Sequence, residues 1–517
     1  MKTKFQVDWI AMIVPLLGVI CLGALFLAMP EQSLTVLSSI RGFLGDDFGI
    51  YYILMGMFAF GATMYIAFSR FGQIKLGGKD EKPEYSAFTW GSMVFTGTMA
   101  ADILFFSLHE WALYAAEPRI AALGDVQVWA STFPLFHWGP IAWSFYIVLA
   151  ASFAFMLHVR HRKKQKFSEA CRPLLGEKVD GPIGKLIDIV AIFALIAGTA
   201  TTFSLATPLL SAALIHVTGI TVTTNALNIG ITIGVLIVIA IVYTIAVLGG
   251  MVGIAKLAKI SVYIFFVMLF YFLFLGGETM YIIETGVSAI GNLAQNFIGL
   301  TTWTDPLRVD SFPQHWTIFY WAYWMAWCVA TPFFIGMISR GRTLKNTILG
   351  AYFWGLAGTF TSFIILGNYG LAQEMRHGLG AIDAIYAGAD SALVIIGIFE
   401  TLPLPAVALV LLVINMIIFY SSTFDALTMV VSRYSYKELT TDDMPSKGVR
   451  TYWSILFILF PIALIFSEGT LYNLQSVAII AAFPIGIIIL MIVFSFFKDA
   501  TMYLKEKKVS GEEEKLE

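Results

Sequence analysis

Three groups of residues in this chain carry chemistry that their apolar surroundings do not call for. The first is Asp102, in Thr96-Gly-Thr-Met-Ala-Ala-Asp102, well inside the hydrophobic stretch 88–111. An unpaired polar group away from water costs several kcal/mol, so a carboxylate there needs a cation, a proton, water or a neighbouring dipole. The plain alternative is a neutral aspartic acid bonded to a neighbouring helix. A carboxyl able to take up and release a proton is also what proton coupling requires.

The second group is aromatic: Phe136-His-Trp138-Gly-Pro-Ile-Ala-Trp143-Ser-Phe-Tyr146 and Trp316-Thr-Ile-Phe-Tyr-Trp321-Ala-Tyr323-Trp324-Met-Ala-Trp327. Indoles and phenols ordinarily gather at the two membrane interfaces, and Trp316 and Trp138, near segment ends, fit that in part. Trp324 and Trp327 are three apart and share a helix face two to three turns inside their segment, and Trp143 lies more than a turn inside its own. Several inward indoles form a box for a cation that cannot donate hydrogen bonds. A quaternary ammonium group is such a cation, and each ring contributes roughly 0.5–2 kcal/mol. The third group is Phe419-Tyr420-Ser421-Ser422-Thr423-Phe424-Asp425. One hydroxyl on a membrane helix usually bonds back to its own backbone. Three beside a carboxylate could instead line a small-cation site built from oxygen ligands.

No histidine-rich metal motif, nucleophile elbow or phosphate-cradling glycine loop accompanies these groups. An enzyme or a nucleotide-driven pump is therefore disfavoured, no cofactor is expected, and no metal other than sodium is called for. Cys21, Cys171 and Cys328 lie too far apart for a metal spacing or a disulfide framework.

The elements that hold these groups follow from composition. Hydrophobic residues make up 58% of the 517, charged residues 13%, and mean hydropathy is +0.80; a soluble domain has about a quarter of its residues charged. The net charge of −2 is uninformative, and the scattered basic residues argue against a nucleic-acid partner. Twelve apolar stretches are long enough to cross a bilayer: 9–29, 49–69, 88–111, 138–158, 187–215, 225–248, 260–284, 316–338, 346–370, 403–431, 451–468 and 473–496. The first follows Lys2 and Lys4 but is long and lacks a small-residue cleavage site, so it reads as retained.

Charge tests that count. With a cytoplasmic N-terminus, the inside loops hold Arg70, Lys75, Lys79 and Lys82, then the run Arg160–Lys166. Further inside are Lys256 and Lys259, then Arg340, Arg342 and Lys345, then Arg433 and Lys437. The outside loops hold no lysine and only scattered arginines such as Arg41, Arg119, Arg308 and Arg376. This is the positive-inside pattern, and both termini read as cytoplasmic. Residues 286–300 have helical apolar spacing without the length to span, which suits a helix lying along the interface. The segment 371–402 could cap the outer face, and 497–517 reads as a solvated tail.

At these residues the sequence resembles the betaine/carnitine/choline transporter family over nearly its whole length. The most specific block runs from Phe319-Tyr-Trp-Ala-Tyr-Trp324 to Ile338-Ser-Arg-Gly-Arg-Thr343, and Phe136-His-Trp-Gly-Pro140, Phe312-Pro-Gln-His-Trp316 and Leu205-Ala-Thr-Pro208 match as well. The carnitine branch looks nearest. The resemblance implies one all-α integral membrane transporter domain over 1–517, with about twelve transmembrane helices in a LeuT-type fold. Two leading helices, 9–69, would precede inverted five-helix repeats at 88–284 and 316–496, with the interfacial amphipathic helix 286–300 between them. Solute would sit at the midplane where the repeats meet. The family's aromatic box maps onto Trp138, Trp143, Tyr146 and Trp324, with Tyr323 and Trp327 along the path. A homotrimer, formed partly through the interfacial helix, is also implied.

Coupling is less determined. The sodium site of sodium-driven members maps onto Met99, Phe419, Ser422 and Thr423, and both hydroxyls are present. The arginine that replaces the ion in carnitine antiporters falls near Ala255, beside Lys256. Asp102 occupies the position that proton-coupled choline carriers also fill with aspartate, although their flanking glycines are missing here. The expected activity is import of choline, glycine betaine, carnitine or a relative across the plasma membrane, coupled to protons or sodium. The rivals are substrate/product antiport, a channel and an osmosensor. A channel is disfavoured because an indole box would hold a permeant ion, and the short termini argue against osmosensing.

Overall fold

The computed structural model describes residues 5–97, 101–248, 250–440, 443–466 and 471–509. Among the described residues the chain is helical, with only isolated β-bridges between loops. Nine helices among the described residues are long and apolar enough to cross a membrane, and eleven if two sharply bent pairs each count as one span. The third expected stretch, 88–111, is divided between Ala87–Thr96 and Ala101–Ala115, each too short to cross alone. The longest helices overshoot a bilayer: Pro182–Thr218, with 37 residues at 1.5 Å each, runs about 55 Å.

Three irregularities position the aromatic residues and the loops around them. The fourth stretch begins earlier than 138, as Val126–His137, and resumes as Pro140–His158. Pro140 lacks the N–H that would continue the helix. Trp138 sits at this joint with ψ near 20°, and a Cβ on the adjoining Gly139 would meet Leu135 O at 2.2 Å. The eighth stretch runs from Pro313 to Trp327, breaks, and resumes as Thr331–Met337 at a 55° bend. The seventh ends at Leu275 and turns by 107° at Gly276-Gly277, where Gly277 has φ +85°. The helix expected over 286–300 is therefore longer, Thr279–Thr302. It packs Ile282, Ala289 and Leu293 inward, yet leaves Met280, Val287 and Ile298 65–75% exposed, as a helix lying against lipid would.

The loops separate onto two faces as the charge pattern requires. On one face Val7 pairs with Tyr436, Lys75 with Thr343 and Lys164 with Thr440. Arg160 and Arg162 there reach Asp499 at 2.8 and 2.5 Å, and Arg340 pairs with Glu81. On the other face Arg308 bonds Asp46 O at 2.6 Å, Trp316 bonds Glu117 at 2.7 Å, and Arg376 and His377 share Glu278. Between the faces, apolar side chains such as Leu17, Phe68, Ile245 and Phe270 are more than half exposed, which lipid rather than water accommodates.

Small residues let helices close on one another at the bend of the eighth stretch. A Cβ on Gly336 would approach Ala154 N and Ala150 O at 3.0 and 3.1 Å, both backbone atoms of the fourth. Gly336→Val should therefore destabilise the folded protein by about 1–3 kcal/mol. The expected outcome is a lower midpoint in a detergent thermostability assay read by size-exclusion chromatography. An unchanged midpoint would show that the two helices can separate freely there.

Candidate functional site

The joint at Trp138 and the break after Trp327 bring the aromatic residues together. Trp324 is the hub: its ring centroid lies 5.6 Å from Trp138, 5.4 Å from Trp143 and 4.7 Å from Tyr146, all at 58–67° between planes. Tyr323 precedes it on the same helix, 6.4 Å from Trp327. These rings line one cavity of about 490 Å³. Faces and edges meet at steep angles, the arrangement aromatic quadrupoles favour. The indole N–H groups of Trp143 and Trp324 are buried without a hydrogen-bond partner in the protein.

Asp102, in the helix Ala101–Ala115, lines the same cavity. Its Oδ1 accepts from the Ile103 N–H at 3.0 Å and its Oδ2 from the Tyr323 hydroxyl at 3.0 Å. That hydroxyl also meets Thr202, from the long helix Pro182–Thr218. The carboxyl is thus tied to the box through the residue before Trp324. Ser422 and Thr423 also line the cavity, although the Ser422 hydroxyl bonds back to Phe419 O at 3.0 Å. Phe419 itself is fully buried, 5.3 Å from the Phe265 ring, and is not among the lining residues. Met99 lies outside the described residues, as do the side chains of Asp425, Ala255 and Lys256.

The cavity is one-sided. It extends from the box past Phe333 and Met337 to Gln165 and Arg433, on the face that carries the basic loops. Toward the other face Tyr114, Phe133, Phe312 and Trp316 pack ring to ring at 4.7–5.8 Å. Beneath this plug lies a buried polar group that the sequence patterns do not single out. Glu110 is fully buried and accepts from the Trp138 indole at 2.8 Å and from the Tyr114 hydroxyl. A second carboxylate eight residues after Asp102, still within an apolar stretch, is the available signal. No group of three or more His, Cys, Asp or Glu suited to a metal ion occurs among the described residues.

A family model described as the betaine/carnitine/choline family transporter matches residues 10–505. The chain is 31% identical over 485 residues to a probable glycine betaine transporter of Desulfitobacterium hafniense (strain Y51), covering 91% of this chain and 93% of that protein. It is 27% identical over 486 residues to the osmo-independent choline transporter BetT1 of Acinetobacter baylyi, covering 92% and 90%. It is 25% identical over 500 residues to a carnitine transporter of Acinetobacter baumannii, covering 96% and 90%. The multi-span architecture and the match along almost its entire length agree: the chain belongs to the betaine/carnitine/choline transporter family.

Proposed function

We propose that this protein is a secondary transporter that carries a small quaternary-ammonium solute across the plasma membrane by alternating access. The observation that carries this reading is the Trp138–Trp143–Tyr146–Trp324 box, set with Asp102 in a cavity that reaches one face and is packed shut toward the other. A one-sided cavity ending on an interior binding surface is what alternating access needs. With the basic loops and both termini cytoplasmic, the cavity faces inward. The solutes in the relatives' names, glycine betaine, choline and carnitine, all carry the trimethylammonium group that such a box attracts.

Asp102 weighs on which of these is carried. An ionised Asp102 favours a cation such as choline. A zwitterion brings its own carboxylate into the cavity and is accommodated when Asp102 carries a proton. Asp102 is therefore the candidate for proton coupling. Ser422 and Thr423, with Met99 and Phe419 from the family's sodium pattern, are the candidates for sodium. The two five-helix repeats, 88–284 and 316–496, would rock about this site, and the exposed apolar face of Thr279–Thr302 would meet neighbours in a homotrimer.

Trp324→Ala removes the ring that contacts each of the other three in the box. It is expected to weaken binding of a trimethylammonium solute at least tenfold, followed by radioligand binding to purified protein; an unchanged affinity would take the box out of the mechanism. Asp102→Asn keeps the volume but removes the charge. The expected outcome is a shift of preference from choline toward glycine betaine, together with a flatter pH dependence of uptake. If neither preference nor pH dependence moves, Asp102 is a structural hydrogen-bond acceptor.

A further inference from the structure

Glu110 does not line the cavity, yet it is bonded to the box. The indole N–H of Trp138 is a donor only, so the 2.8 Å contact requires the carboxylate to accept. The other carboxylate oxygen takes the Tyr114 hydroxyl. Tyr114 O lies 2.5 Å from His137 Nδ1, and His137 Nε2 lies 3.0 Å from the Thr317 hydroxyl. All five residues are buried to within 2%. With Glu110 ionised the donors run Thr317 to His137, His137 to Tyr114, Tyr114 to Glu110. Trp138 donates to the same carboxylate from the other side. If one proton arrives at His137 Nε2, its Nδ1 proton passes to Tyr114 and the Tyr114 proton passes to Glu110. The chain is then complete in the reverse sense, with Glu110 neutral and one proton added overall.

The two states differ at the box. A carboxylate accepting from an indole N–H pushes electron density into that ring, and charge-assisted bonds are about twice as strong as neutral ones. Ionised Glu110 therefore fixes Trp138 at its joint and makes its face more attractive to a cation. Neutral Glu110 does less of both. We propose that Glu110 is a positioning residue that strengthens cation binding by charging the Trp138 indole without touching the solute, and that protonation through His137 and Tyr114 switches this effect off. The proposal rests on the reading that the box binds a quaternary ammonium solute.

The titratable groups facing Glu110 are Tyr114, His137 and Tyr320. Asp102 and His109 share its helix; His109 is turned to Phe105 O at 2.8 Å. On the other elements packed against this helix, Arg376 and His377 are paired to Glu278, Glu374 to the Ala381 N–H and Glu400 to His216. Asp383 lies on the short helix Ala381–Tyr386, and Arg433 is at the inner mouth of the cavity. By linkage, a proton that weakens cation binding is itself displaced by the cation, so acid should lower affinity.

The test is radiolabelled choline binding to the purified full-length protein at pH 7.5 and pH 5.5. Glu110→Gln should weaken binding about five- to tenfold at pH 7.5 and reduce the fall in affinity between the two pH values. Glu110→Asp, which keeps the charge, should stay within about threefold of the unmodified protein. Trp138→Phe, which has a ring but no N–H, should show the same reduced pH dependence, and adding Glu110→Gln to it should cost less than twofold more. The single Trp138→Phe arm does not depend on whether Glu110→Gln folds. Unmodified pH dependence in Trp138→Phe, or full additivity of the two substitutions, would overturn the proposal. If the unmodified protein binds no trimethylammonium compound at either pH, the box reading itself fails and takes this proposal with it.

Discussion

A polar group inside a hydrocarbon layer must find its partner within the protein or within a cavity, and this constraint orders the molecule. Helical hydrogen bonding satisfies the backbone almost throughout. At two of the interruptions the irregular backbone lies within the protein. The joint at Trp138-Gly139 is covered by the eighth and ninth stretches, and the Trp138 carbonyl accepts from the Thr359 hydroxyl at 3.0 Å. The break after Trp327 abuts the cavity. The turn at Gly276-Gly277 instead comes where the span ends, and it sends the chain along the surface.

The same constraint gives the site its character. Two carboxyls, Asp102 and Glu110, lie on one helix; Asp102 bonds Tyr323, which precedes Trp324, and Glu110 bonds Trp138 of the box. Their hydrogen-bond donors are neutral hydroxyl, indole and amide groups rather than lysine or arginine. In a medium of low effective dielectric a charge on either carboxyl would be felt by whatever enters the cavity. In the reading proposed above, the indoles would hold a cation that donates no hydrogen bond, and the two carboxyls would act on it from the same helix.

Much of this is legible in the sequence because it depends on residue type and run length. Apolar length marks the spans, lysine asymmetry marks the two faces, and indoles away from segment ends mark the box. What stays hidden depends on which way a side chain faces or where a helix bends. Phe419 groups with Ser422 and Thr423 by position, yet its ring packs against Phe265, away from the cavity. The interfacial helix begins at Thr279 rather than 286, because the run Met280-Tyr-Ile-Ile reads as a continuation of the preceding span until the glycine turn is seen. Glu110 shows in the sequence only as a second carboxylate toward the end of the apolar stretch 88–111. Only the fold shows its partner, Trp138, 28 residues away.

The most direct test of solute carriage through the indole box is exchange by the purified protein in proteoliposomes, with no ion gradient imposed. Vesicles preloaded with unlabelled choline, glycine betaine or carnitine are diluted into trace labelled solute, and label uptake is followed. The expected result is transient accumulation of label for at least one trimethylammonium solute, lost in Trp324→Ala. No counterflow with any of the three, from protein that is monodisperse and inserted, would contradict transport through this site.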